Sequence, residues 1–129
     1  MDSLIFLQRI KNQPNPESLS AAESRYVREM FDPGSREVVV NGEVIEWTEI
    51  DEVEVALSPR AAGPAGLFVR YFVHAEDRYH VGIYFGRSEA ILPNVTLAVA
   101  KYVVQCIAFY APLPIRYKGP EGLSPVVRE

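Results

Sequence analysis

The chain is predicted to be α+β: an antiparallel sheet of about five strands, with an N-terminal helix and a long C-terminal helix packed on one face. Three observations carry this. Asn41-Gly42 stands between two β-rich runs in "REVVVNGEVIEW", the pair that suits a type I′ hairpin because both central residues need φ > 0. Ser20 followed by Glu23 is a capping box, in which each side chain satisfies the other residue's orphan backbone N–H. A long apolar region, Val95 to Leu113, supplies the second helix.

Taken in order, residues 4–11 form either a short helix or a first strand, and Asn12 to Pro16 is a break. The first helix runs from the capping box to about Phe31 and buries Tyr26, Val27, Met30 and Phe31. "DPGS" stops it, since Pro33 cannot continue a helix and Gly34 tolerates positive φ. After the Asn41-Gly42 hairpin, "VEVAL" alternates Val53, Val55 and Leu57 against Glu52, Glu54 and Ala56, one face buried and one wet. "SPRAAGPAG" is a loop by composition. "VRYFVHAEDRYHVGIYF", residues 69–85, reads as two more strands around Glu76-Asp77-Arg78. Asn94 caps the last helix, which ends near Ala111. The expected domain spans residues 1–115, with a proline-punctuated tail over 116–129.

With 129 residues the chain has room for one domain and buries roughly two thirds of its unfolded surface. One cysteine, Cys106, rules out an intramolecular disulfide scaffold. The N-terminus lacks the pattern of a signal peptide. Lys101 and Gln105 in the middle of the long apolar region argue against a membrane span, so no membrane association and a cytoplasmic location are expected. The net charge of −4 argues against a nucleic-acid partner, which needs clustered Lys and Arg.

The run "GEVIEWTEIDEVEVAL", residues 42–57, resembles the strand-turn-strand openings of bacterial pleckstrin-homology-like domains. There a strand ending in Trp leads through a short acidic segment into the next strand, and the chain ends in a helix on the sheet. The resemblance implies a binding module whose ligand varies, and it assigns no functional residue. The helical N-terminal segment and the small number of strands depart from the family's usual seven.

Catalytic chemistry finds little support. His74-Ala75-Glu76 has the H-x-E form of zinc deaminases, but their P-C-x-x-C partner is missing from a chain with one cysteine. The hairpin reading would set His74 beside His80, yet a zinc site wants three or four ligands. Cys106 falls on an apolar helix side, where a thiol stays protonated, and no G-x-S-x-G or P-loop is present. The six acids between Glu43 and Glu54 read as a solvated edge. No cofactor, metal site or catalytic residue is assigned.

Two surfaces remain. One is the hairpin face carrying Arg70, Phe72, His74, His80 and Tyr84, with Gly82 leaving room for a small ligand or peptide. The other is the last helix, whose apolar arc is about twice the width one sheet covers. That excess needs a second partner, either the N-terminal helix of the same chain with Tyr26, Val27, Met30 and Phe31 or a twofold copy. The twofold reading places a homodimer seam at Leu97, Tyr102, Val104 and Phe109. The expected function is a non-catalytic interaction or scaffold module acting as a homo-oligomer. The alternative is a small-ligand or peptide binder using the hairpin face.

Overall fold

The computed structural model describes residues 4–58 and 78–128. The first part runs β1 (Ile5–Leu7), a 3-10 turn (Pro16–Ser18), α1 (Ala21–Met30), β2 (Phe31–Pro33), β3 (Glu37–Val40) and β4 (Glu43–Glu46). A second 3-10 turn (Trp47–Glu49) leads into β5 (Ile50–Leu57). The second part runs β6 (Tyr79–Phe85), β7 (Ser88–Val95), α2 (Leu97–Tyr110), β8 (Arg116–Lys118) and β9 (Val126–Arg128). The α+β class holds. The strands form two sheets, one of order β7-β6-β5-β8-β1-β9 and one of order β2-β3-β4.

Local chemistry explains the small sheet. Asn41 and Gly42 take φ of 50° and 83°, the positive angles that close a two-residue hairpin without splaying its strands. Val39 then lies opposite Val44. Phe31 ends α1 in an extended conformation, and "FDP" pairs with β3 as an edge strand. An edge tolerates Pro33, which has no N–H to give a second neighbour.

In the large sheet, alternation puts Val53, Val55, Val81, Ile83, Ala90 and Leu92 on the buried side. Leu57, expected among them, is 46% exposed, because β5 has by then run to the end of the sheet. The run Ser88–Val95 is a strand that the sequence reading overlooked. It makes a hairpin with β6 across Gly86-Arg87, with Phe85 opposite Ser88. Both edges of β6 are thus taken, by β5 and β7. The register that set His80 beside His74 is replaced by one that sets His80 beside Ala56.

The C-terminal residues are part of the domain rather than a tail. β8 lies parallel to β5, with Val53 opposite Tyr117, and β1 is held between β8 and β9. The chain therefore continues past α2, and its two ends close the sheet on each other.

α2 is the centre of the core. Thr96, not Asn94, is its N-cap, and the Thr96 hydroxyl accepts from the Val99 N–H at 3.2 Å. Asn94 still belongs to the strand before it, at φ 52°, and its Oδ1 accepts from the Ser58 hydroxyl at 2.8 Å. Val99, Ala100, Val103, Val104, Cys106, Ile107 and Ala108 are all buried. The wide apolar arc finds its partners inside the chain. Phe31 meets Tyr102 edge to face with ring centres 6.4 Å apart, and Trp47 stacks on Tyr110 at 5.3 Å. Arg9 donates to the Phe109 and Ala111 carbonyls at 2.8 and 2.5 Å. Gln105 donates to the Leu123 carbonyl at 3.1 Å.

These contacts take Val104 out of the predicted dimer seam. Val104 is fully buried in the chain's own core. Tyr102 and Phe109 are half-buried against Phe31 and Tyr110. Only Leu97 stands substantially exposed, at 45%.

Two stability measurements check this architecture. Gly42→Val should lower stability by about 1–3 kcal/mol, since a β-branched residue is forced into positive φ; an unchanged melting temperature would show that the turn lies elsewhere. Val104→Glu should abolish the cooperative unfolding transition, because an unpaired charge enters a dry core. A folded Val104→Glu monomer would contradict the burial of α2 within one chain.

Candidate functional site

The open face of the large sheet comes first, since the predicted ligand face lay there. His80, Gly82 and Tyr84 do share one side of β6, as the alternation predicts. Opposite them stand Ala56, Glu54 and Glu52 on β5, and Glu89 lies opposite Tyr84 on β7. The described part of this face carries Glu52, Glu54 and Glu89 around Tyr84, with Arg116 and Lys118 of β8 opposite Glu52 and Glu54. Arg70, Phe72 and His74 lie outside the described residues.

The room expected at Gly82 is filled. A Cβ at Gly82 would sit 3.4 Å from the Tyr84 ring, so the ring lies down over the glycine. Tyr84 donates to Glu54 Oε1 at 2.9 Å. This hydrogen bond, then burial and the charges of Glu54 and Glu89, push the Tyr84 phenol up to about 12. Beside it Arg116 pairs with Glu52 at 3.3 Å, a contact with one end in water that is worth at most about 1 kcal/mol. Among the described residues the face is tied down by its own side chains, with the Tyr84 ring over Gly82.

A second place collects more. The starts of α1 and α2 open on one cleft of about 460 Å³, lined by Ser20, Ala22, Glu23, Tyr26, Arg78, Asn94, Val95, Thr96 and Val99. Local signals build one side of it. The Ser20 hydroxyl accepts from the Glu23 N–H at 3.1 Å, and Glu23 Oε1 accepts from the Ser20 N–H at 2.8 Å. The other side is a long-range closure, because Glu23 Oε2 accepts from the Thr96 hydroxyl. One carboxylate thus joins the caps of both helices. Tyr26 closes the wall by donating to the Pro93 carbonyl at 3.0 Å. This also blunts the outer edge of β7, where Pro93 offers no N–H of its own.

The electrostatics follow from these bonds. The Thr96 hydrogen bond, then that of the Ser20 backbone, holds the Glu23 carboxyl below its ordinary value, with a smaller contribution from the Arg78 charge; burial opposes them. Glu23 is therefore ionised with both oxygens engaged. Each helix start adds a partial positive charge of about half a unit, and Arg78 adds a full one.

The capping box was visible in the sequence. Thr96, Arg78 and Asn94 were missed as members of a site, since Glu23 and Thr96 are 73 residues apart and no local pattern links them. Among the described residues no three His, Cys, Asp or Glu side chains are grouped so as to hold a metal ion. No helix of the described residues is long and apolar enough to cross a membrane. Cys106 is buried, which pushes its thiol up to about 12. Comparison with protein-family models, curated proteins and solved structures gives no match.

Glu23 gives this site a pH signature. Its folded pKa lies below the ordinary 4.5, so its contribution to stability is complete above that value and is lost as pH falls through the folded pKa. Thr96→Val removes the largest cause. The Glu23 titration midpoint, followed by side-chain carbon NMR, should then move up toward 4.5, and the loss of stability at acid pH should shrink. A midpoint that stays put would show that Thr96 does not hold the carboxylate.

Proposed function

We propose that the protein is a non-catalytic binding module that holds a small ligand with an anionic group in the cleft between the starts of α1 and α2. One observation carries the reading. Three separate parts of the chain bring a guanidinium, a phenol and two helix starts around a space of about 460 Å³, and the only carboxylate there among the described residues is already hydrogen-bonded on both oxygens. The volume falls within the range of small-ligand sites. Among the described residues Arg78 offsets Glu23 in formal charge, and the helix starts add a partial positive charge. The protonated, buried Cys106 thiol and the hydrogen-bonded Tyr84 phenol fit a role in holding rather than transforming a ligand.

A small carboxylate tests this directly. Titration with sodium acetate at millimolar concentration should shift the backbone amide signals of residues 20–23 and 94–99, and Arg78→Gln should lose these shifts while keeping the fold. Shifts spread evenly over the surface, or unchanged in Arg78→Gln, would remove the cleft as a binding site.

A further inference from the structure

One lateral row crosses every strand of the large sheet on its open side. The registers line up Glu89, Tyr84, Glu52, Arg116, Phe6 and Val127, from β7 through to β9. The next row holds Ile91, Gly82, Glu54 and Lys118, from β7 to β8. Leu4, two residues before Phe6, turns to the same side by the alternation of a strand. The face is therefore divided. Its carboxylates lie on β5 and β7, its cations on β8, and a small apolar group at β1 and β9.

The apolar members do not serve the chain's own core. Leu4, Ile91 and Val127 are 49%, 41% and 47% exposed, and neither they nor Phe6 belong to the core cluster. Val53, Val81 and Ile83, which point the other way, fill that core with no exposure. Exposed apolar side chains rimmed by ordered charges mark interaction surfaces. The charges are also held in place beforehand, since Tyr84 donates to Glu54 at 2.9 Å and Arg116 pairs with Glu52 at 3.3 Å. A surface already ordered loses little side-chain freedom when a partner arrives.

We propose that this face binds a second copy of the chain, sheet on sheet, about a twofold axis that runs parallel to the strands between β5 and β8. The order of the charges carries the choice of partner. A half turn about that axis lays β5 over the partner's β8, β6 over its β1 and β7 over its β9. Glu52 and Glu54 come over the partner's Arg116 and the partner's Lys118, and the Tyr84 ring over the partner's Phe6. Each contact occurs twice, because a twofold interface is isologous. With acids on one side of the axis and bases on the other, the face is complementary to itself, whereas a face of one sign would repel its copy. Glu89 falls at the rim, where a carboxylate keeps its water. Six strands at a spacing of about 4.8 Å make a seam roughly 24 Å wide, at the small, reversible end of protein interfaces.

Glu54→Lys and Lys118→Glu, each made alone, set like charges across the axis. Sedimentation between about 10 µM and about 1 mM should show the unaltered chain passing from monomer to dimer and each variant remaining a monomer. An equimolar mixture of the two variants should recover the dimer, because one then offers only cations at these positions and the other only carboxylates. Mixing cannot repair a neighbour contact inside one chain, so recovery assigns the effect to the seam. If a variant fails to fold, the unaltered chain still decides. On concentration its amide signals should shift in β5, β6 and β8 and not in α2. Salt at about 1 M, which cuts the screening length to about 3 Å, should weaken the dimer. A monomer at every concentration would overturn the proposal, as would shifts confined to α2 or a dimer indifferent to both substitutions and to salt. Variants that stay monomeric when mixed would overturn the twofold pairing.

Discussion

A helix of 14 residues with Lys101 as its only charged side chain imposes the main constraint on this fold. α2 is apolar nearly all round, and such a helix is stable in water only when covered on most of its surface. One sheet face cannot do that. The chain covers it with β6 of the large sheet, with the rings of Phe31 and Trp47, and with segments from both ends. Arg9 closes the last exposed carbonyls of the helix, where cations are favoured and the orphan C=O groups need donors. The position of β8 and β9 follows from the same need. The chain leaving α2 returns to the sheet edge, and with β1 it extends the sheet that α2 rests on.

The cleft arises where this covering is thinnest. α1 joins the assembly through buried Val27, partly buried Tyr26 and Met30, and a bond from the Asn41 N–H to the Met30 carbonyl at 2.8 Å. Hydrogen bonds at its first turn add to these, and its start comes to lie beside the start of α2. Two capped helix ends in one place would bring two sets of orphan N–H groups together. The Ser20 and Thr96 hydroxyls accept from the Glu23 and Val99 N–H groups, and Glu23 ties the two caps together by accepting from the Ser20 N–H and the Thr96 hydroxyl. What remains is space and the Arg78 charge.

Much of the local structure was legible in the sequence. Asn41-Gly42 and Ser20-x-x-Glu23 act within a few residues, and the structure keeps both to the register. The alternation of β5 and β6 was read correctly as to face. Pairing was not, because alternation says which side a residue faces and nothing about which strand lies beside it. Residues 69–85 alternate well enough to suggest a hairpin, whereas the pairing runs through Gly86-Arg87 to a strand whose Pro93 disguises it. β8 is three residues long and parallel, so neither length nor a tight turn announces it. Val104 was placed in the dimer seam for a related reason, although it is buried within the chain. The width of an apolar arc was measured correctly, but its cover came from the small sheet and the chain ends, which no periodicity connects to α2.

α2 is enclosed by its own chain, with seven buried residues, whereas α1 fully buries only Val27. Amide hydrogen exchange resolved by residue tests this most directly. The amides of α2 should exchange only through global unfolding, and those of α1 at least about tenfold faster through local opening, with the rates of β5 and β6 tracking α2. Equal protection of α1 and α2 would contradict the account, and so would an α2 that exchanges ahead of the sheet it lies on.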